Sequence, residues 1–333
     1  MKLLIIRMSS MGDVALCVPV IESLLEKYPD LEISFLTKKA FKPIVEIIPN
    51  VKVITAETNG KHKGFWGIIR LFKELKKEER FDWIIDLHNV LRSEILCSLF
   101  DWFSNAQIAR YEKERFGRKG LTRLENKNRT PLRHTAEGYR QVFASIGLDF
   151  ELHHPKEKQA NPTLNKIIKI GFAPIASNRQ KTWPLEKSRE LLEILSKENI
   201  QIDLYGGPEE QSALEKLENN LPNVKRIQLG GLKKEIHSMK DLALMISMDS
   251  ANMHIAAIQG IKTVSIWGAT HPDAGFAPLG NGHQYVQVPV EELTCRPCSV
   301  FGNKSCFRKD WACLNSINPK TVAEQVRQLL LNN

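Results

Sequence analysis

The chain has 333 residues, with 47 Lys and Arg against 38 Asp and Glu, a formal net charge of +9. Apolar residues at 42% and charged residues at 26% exclude a disordered or fibrous chain and describe about two ordinary globular domains. No run approaches the roughly 18 apolar residues of a spanning helix, and the apolar start from Leu3 to Ile6 is too short for a secretory segment, so the cytoplasm is the expected compartment.

Short β-rich runs alternate with helical segments through both halves, the grammar of parallel sheets with crossover helices. Strands are expected at Lys2–Arg7, Glu32–Thr37, Lys52–Ile54, Trp83–Leu87 and Ala106–Ala109, with helices at Val14–Lys27, Phe65–Glu78, Leu91–Phe100 and Thr135–Ile146. The polar segment Lys156–Asn165 reads as a linker. Beyond it, strands are expected at Ile167–Phe172, Ile202–Tyr205, Lys225–Gln228, Leu244–Met248 and Thr263–Trp267. The matching helices are Leu185–Glu198, Pro208–Asn219 and Ala251–Gln259, and a last one runs from Pro319 to Leu331, with Pro in its first turn. The expected architecture is α/β: two doubly wound Rossmann-like domains facing across a cleft, at 1–155 and 166–318, with the helix 319–333 returning to the first. Ligands of such folds sit at the carboxyl ends of the strands.

The chemistry is first bounded by absences. Neither GxGxxG nor GxxxxGK[ST] occurs, and no DxD pair is present to hold a nucleotide-bound divalent cation. Four strand-to-helix loops are candidates. The first, Arg7 to Asp13, has Gly12 to tighten the turn and Asp13 at the helix start, where an ordinary helix cap is the usual reading. The second, Asp249-Ser250-Ala251-Asn252-Met253-His254, offers small residues and free N–H groups to an anion, or simply a cap with a packed histidine. The third runs from Ser177 to Pro184, where Lys181 can reach a diphosphate or stand as a solvated charge. The fourth, Gly206-Gly207-Pro208-Glu209-Glu210, places a carboxylate within reach of ribose hydroxyls, or acids against a helix dipole.

Taken in order, SSMGD, KTWP, GGPEE and DSANMHIAA with WGAT resemble the bacterial lipopolysaccharide heptosyltransferases, over nearly the whole chain. The resemblance implies a GT-B fold and metal-independent, inverting transfer of heptose from ADP-heptose to a lipopolysaccharide core or glycolipid acceptor. It implies Asp13 as general base and Lys181 on the donor diphosphate. Glu209 or Glu210 would take the ribose, with Ser177, Asp249, Ser250, Ala251, Asn252 and His254 around the donor. Ser9, Ser10, Gly12, Arg115 and Arg118 would face the acceptor. Two positions depart from the family pattern: Ala251 stands for its usual Gly, and Gly268-Ala269-Thr270 for its usual GPT. Other readings are a UDP-sugar transferase or epimerase on the same fold, and a non-catalytic sugar-nucleotide-binding module.

The basic stretch from Arg110 to Arg140 suits a phosphate-rich acceptor and peripheral contact with the anionic inner face of the inner membrane. It lacks the interleaved aromatics of a nucleic-acid groove. Cys17 and Cys97 read as buried thiols. Cys295, Cys298, Cys306 and Cys313, spaced C-x2-C-x7-C-x6-C, admit a structural zinc site; no cofactor is otherwise expected, the ADP-sugar being a substrate.

Overall fold

The computed structural model describes residues 1–155, 167–228, 230–280 and 282–331, so the expected linker lies outside the described residues. The chain divides into two compact units, Met1–Lys113 with Arg133–His153, and Glu114–Leu132 with His154–Asn333. The first carries a parallel sheet of β1 (Lys2–Ile6), β2 (Glu32–Lys38), β3 (Val51–Ala56), β4 (Trp83–Asp86) and β5 (Gln107–Arg110) in the order β3-β2-β1-β4-β5. The second carries β6 (Ile168–Ala173), β7 (Ile200–Leu204), β8 (Val224–Arg226), β9 (Leu244–Met248), β10 (Lys262–Trp267) and β11 (His283–Gln287) in the order β11-β10-β9-β6-β7-β8.

The helices are α1 (Met11–Ala15), α2 (Cys17–Lys27), α3 (Lys42–Val45), α4 (Gly64–Glu78), α5 (Leu91–Phe103), α6 (Arg115–Leu121), α7 (Thr135–Ala144), α8 (Leu185–Leu195), α9 (Gln211–Glu218), α10 (Leu232–Met239), α11 (Ala251–Ala257), α12 (Ala312–Asn315) and α13 (Pro319–Leu331). The central strands are apolar on both faces, as a sheet covered by helices on both sides requires: β1 is KLLII and β9 is LMISM, buried throughout but for Lys2. No helix among the described residues is long and apolar enough to cross a membrane.

Both sheets reverse direction at one place. In the first, the chain lays β2 and β3 on one side of β1 and returns to lay β4 on the other. In the second, β7 and β8 lie on one side of β6 and β9 on the other. At such a switch point two successive loops leave the strand ends on opposite faces and open a crevice. Ile6 is in register with Asp86 and Ala173 with Ser247, so residues 7–13 emerge beside 87–89, and 174–183 beside 249–254.

Four expectations are corrected. The single helix Val14–Lys27 is broken at Leu16, because Pro19 has no N–H to give the carbonyl of Ala15 and its ring crowds it. The helix expected from Pro208 begins with a 3-10 turn, and α9 itself spans Gln211–Glu218. The last helix, expected to return to the first domain, buries Val322, Ala323, Val326 and Leu329 of α13 in the core of the second unit. There, each buried Val or Leu contributes about 1.5–3 kcal/mol, and Arg327 pairs with Glu198 at 2.7 Å. Residues 114–132, expected within 1–155, belong to the second unit. The Leu132 N–H donates to Asp273 O (2.8 Å), Lys127 Nζ donates to Pro297 O (2.7 Å), and the Arg118 guanidinium lies 5.6 Å from the centre of the Phe301 ring.

Candidate functional site

In the first unit the loop after β1 gathers around Asp13. Arg7, only 6% exposed, places Nη2 2.5 Å from Asp13 Oδ2 and donates from Nη1 to Leu87 O at 2.6 Å. The hydroxyl and backbone N–H of Ser10 both donate to the same Oδ2, at 2.6 and 3.1 Å. Asp13 is therefore a helix cap and an ion-pair partner at once. Burial pushes its carboxyl pKa up, but Arg7 and Ser10 outweigh it and hold the group below the usual carboxylate value, ionised at neutral pH. Gly12 lies in the first turn of α1.

Ser9 does not touch Asp13; its Oγ is 3.1 Å from His88 Nε2. His88 had no place in the sequence reading. It follows β4 at the switch point, where the Asp86 carboxylate accepts its N–H and that of Asn89. Burial, helped by Arg7 and Lys113, drives the imidazole pKa down to about 3, so it is neutral at pH 7. Its one legible signal is position: a polar residue directly after an expected strand.

In the second unit the loops after β6 and β9 meet. Lys181 is not a solvated charge: its side chain is 13% exposed and Nζ stands 3.1 Å from Oδ2 of Asp249, itself 3% exposed. The contact is an ion pair rather than an aligned hydrogen bond, since Asp249 Oδ2 has no hydrogen-bond partner. Thr182 Oγ1 accepts from Ala176 N and donates back within the loop, and buried Trp183 anchors the turn with its N–H on Met248 Sδ. Ser177 is exposed at the loop tip.

After β9, Ser250 Oγ lies 3.0 Å from Ser247 Oγ, Asn252 is half-buried, and His254 is buried on α11. Ala251 opens α11 in a helical position that any L-residue adopts, so its methyl introduces no backbone strain. The other departure, Ala269, is strapped in place. Its N–H donates to Gln180 O (3.2 Å), and its carbonyl accepts from Cys298 and Ser299 N–H. The two acids of the fourth loop part company. Glu210 folds back to accept the Gly207 N–H at 2.7 Å, and burial pushes its pKa up; Glu209 is exposed.

The cysteine-rich segment closes over this loop pair. Gly302 has φ +68°, and a Cβ there would lie 2.3 and 2.4 Å from Cγ and Cδ of Lys181, so the lysine stem runs directly against the glycine backbone. Arg296, 0% exposed, donates to the carbonyls of Trp267, Gly268, Thr270 and Val288 and to Gln287 Oε1, pinning the ends of β10 and β11. It has no carboxylate partner among the described residues, and burial lowers its pKa to about 10. The four cysteines line one small cavity with Leu293, Phe307 and Trp311. Among the described residues no three His, Cys, Asp or Glu side chains are gathered to hold a metal. Burial raises the thiols of Cys295 and Cys298, and takes that of Cys313 to about 12. Arg115 is exposed; Arg118 is engaged by Phe301.

Comparison with known proteins identifies the family and the fold. Residues 68–305 match the family model of glycosyltransferase family 9 (heptosyltransferase). Lipopolysaccharide heptosyltransferase 1 of Pseudomonas aeruginosa is 24% identical, the match covering 99% of this chain and 98% of that one. The lipopolysaccharide core heptosyltransferase OpsX of Haemophilus influenzae is 26% identical over 87% of this chain and 85% of its own. Among solved structures, E. coli heptosyltransferase WaaC with ADP-2-deoxy-2-fluoro heptose is 19% identical with a TM-score of 0.70, covering 98% of this chain and 99% of that one. The family 9 glycosyl transferase from Veillonella parvula gives a TM-score of 0.75 at 19% identity, over 100% of this chain and 98% of its own. The fold is that of the GT-B heptosyltransferases, and the chain belongs to glycosyltransferase family 9, the heptosyltransferases.

Proposed function

We propose that this enzyme transfers heptose from ADP-heptose to a lipopolysaccharide core acceptor, inverting the anomeric centre and using no divalent metal. The observation that carries the reading is Lys181 held against buried Asp249 at the switch point of the second sheet, beside the start of α11. A diphosphate arriving there meets a pre-placed cation and outward N–H groups, which stabilise charge as the glycosidic bond to ADP breaks. Asp13 takes the acceptor hydroxyl's proton. Its ion pair with Arg7 makes it a weak base in the ground state, so Arg7 serves to orient the carboxylate. Ser9, Ser10 and neutral His88 offer hydrogen bonds to an acceptor, and exposed Glu209 is the acid available to the donor's ribose. The enzyme works in the cytoplasm at the anionic inner face of the inner membrane, to which basic residues are drawn at about 1 kcal/mol each.

Two substitutions separate the roles. Asp13→Asn keeps an oxygen for the Ser10 cap but cannot take a proton, so kcat falls about a hundredfold or more with ADP affinity retained. Lys181→Ala weakens ADP binding and lowers kcat together. Near wild-type turnover in Asp13→Asn leaves Asp13 a cap only, and unchanged ADP affinity in Lys181→Ala removes that residue from the donor site.

A further inference from the structure

We propose that the start of α4 docks the protein onto an anionic lipid bilayer, with Phe65 and Trp66 entering the headgroup region. The two rings stand edge to face, 5.7 Å apart, and are 55% and 79% exposed. Scattered exposed apolar residues are ordinary, but two adjacent aromatics on a braced turn are not. The turn before them is built to hold them out. His62, 1% exposed, accepts the Glu57 N–H on Nδ1 and sets Nε2 3.1 Å from Glu74 Oε2. The N–H groups of Gly60 and His62 both donate to Glu57 O. A Cβ at Gly67 would lie 2.2 Å from the His62 carbonyl carbon, so the first turn of α4 is packed against this loop.

Charge selects the occupant. Lys63, Trp66, Arg70, Lys73 and Lys77 recur at three- and four-residue intervals and are all exposed, so one face of the helix carries a basic stripe ending in the aromatic pair. The acids of α4 are already engaged, Glu74 by Lys61, Arg70 and His62 and Glu78 by Lys52. Aromatic rings at headgroup depth with cations beside them are the pattern of interfacial lipid binding, not of a dry protein interface, whose core is depleted of charge. Leu91, 72% exposed, opens the neighbouring helix α5. Both helices begin at the carboxyl end of the first sheet, the end that carries Asp13 and His88. On the function proposed above, this would hold that end near a lipid-anchored acceptor, but the docking itself does not depend on that function.

The test uses the full chain and vesicles, with no transfer reaction. Wild-type protein is expected to sediment with vesicles of phosphatidylethanolamine and phosphatidylglycerol, and not with phosphatidylcholine alone. Brominated phosphatidylglycerol should quench part of its tryptophan fluorescence. Trp66→Phe keeps the binding and removes that quenching. The double variant Phe65→Ser/Trp66→Ser lowers partitioning about tenfold or more, with melting temperature and ADP affinity unchanged. The proposal is overturned if wild type does not sediment, if the double variant sediments as wild type does, or if Trp66→Phe leaves the quenching intact. It is equally overturned if wild type is a lipid-free dimer that the double variant converts to monomer, since the pair is then a contact between copies. A failed transfer assay would leave these readouts unaffected.

Discussion

Replacing Gly302 by Ala should disable the donor site from outside it. At φ +68° an L-residue costs about 1–2 kcal/mol of backbone strain, and the added methyl would stand 2.3 Å from Lys181 Cγ. The methyl cannot be accommodated while the lysine stem stays, so the stem must swing and Nζ leaves its place 3.1 Å from Asp249 Oδ2. A charge-assisted hydrogen bond to a phosphate is worth about 1.5–3 kcal/mol, so ADP affinity should fall about ten- to a hundredfold. Calorimetry with ADP on wild type, Gly302→Ala, Lys181→Ala and the double variant makes the assay. In the Lys181→Ala background there is no stem to displace, and Gly302→Ala should cost nothing further in affinity; the two losses must be far from additive. Additive losses, or wild-type affinity in Gly302→Ala, would refute the claim that the lysine's placement depends on this glycine.

Three other outcomes are expected. His88 has its pKa depressed to about 3, so between the unfolded value of 6.5 and that point the unfolded chain binds the extra proton and stability falls as pH falls. His88→Gln should remove up to about 1.4 kcal/mol per pH unit of this acid loss, read from urea melts at pH 6.5, 5.5 and 4.5; parallel curves contradict it. Arg296→Met leaves four carbonyls without their shared donor and should cost about 1–3 kcal/mol for each one left unpaired, read as a fall in Tm; a wild-type Tm contradicts it. Chelation by EDTA should leave transfer activity intact; a loss that Mg2+ or Mn2+ restores contradicts the role given to Lys181.

What the sequence shows of this fold follows from how local each cause is. Strands β1 and β9 are legible because burial on both faces demands unbroken apolar runs. Strand β11, HQYVQ, is an edge strand with one fully buried residue and carries no such signal. Helix α6, RFGRKGL, is hidden in a run of charges, and α10 in LKKEIHSM shows too short a period to register. The break at Leu16 was legible, since Pro19 announces it, but an apolar run on both sides disguised it. The destination of α13 was not, because an amphipathic face does not say which core it meets.

The same holds for the site. Lys181 and Asp249 sit in loops, and Asp13 in the first turn of α1, where small and charged residues mark them in sequence. His88 and Arg296 act through partners 79 and 28 residues away, and Gly302 through a lysine more remote still in the chain. Nothing near those residues distinguishes them from a packed histidine, a surface arginine or a turn glycine until the strands bring the partners together. The two acids at 209 and 210 show the reverse limit: adjacent in sequence and equal in charge, they are separated only by the turn that folds one of them back on Gly207.

The central claim is heptosyl transfer from an ADP-linked donor, and it is tested by supplying purified enzyme with a lipopolysaccharide core acceptor and, separately, ADP-heptose or UDP-sugars. Nucleotide release and the anomeric proton coupling of the product are then followed by NMR. The account predicts ADP release only when acceptor is present, a product of inverted anomeric configuration, and no turnover of UDP-sugars. Release of UDP, retention of configuration, or ADP binding without any transfer would contradict it.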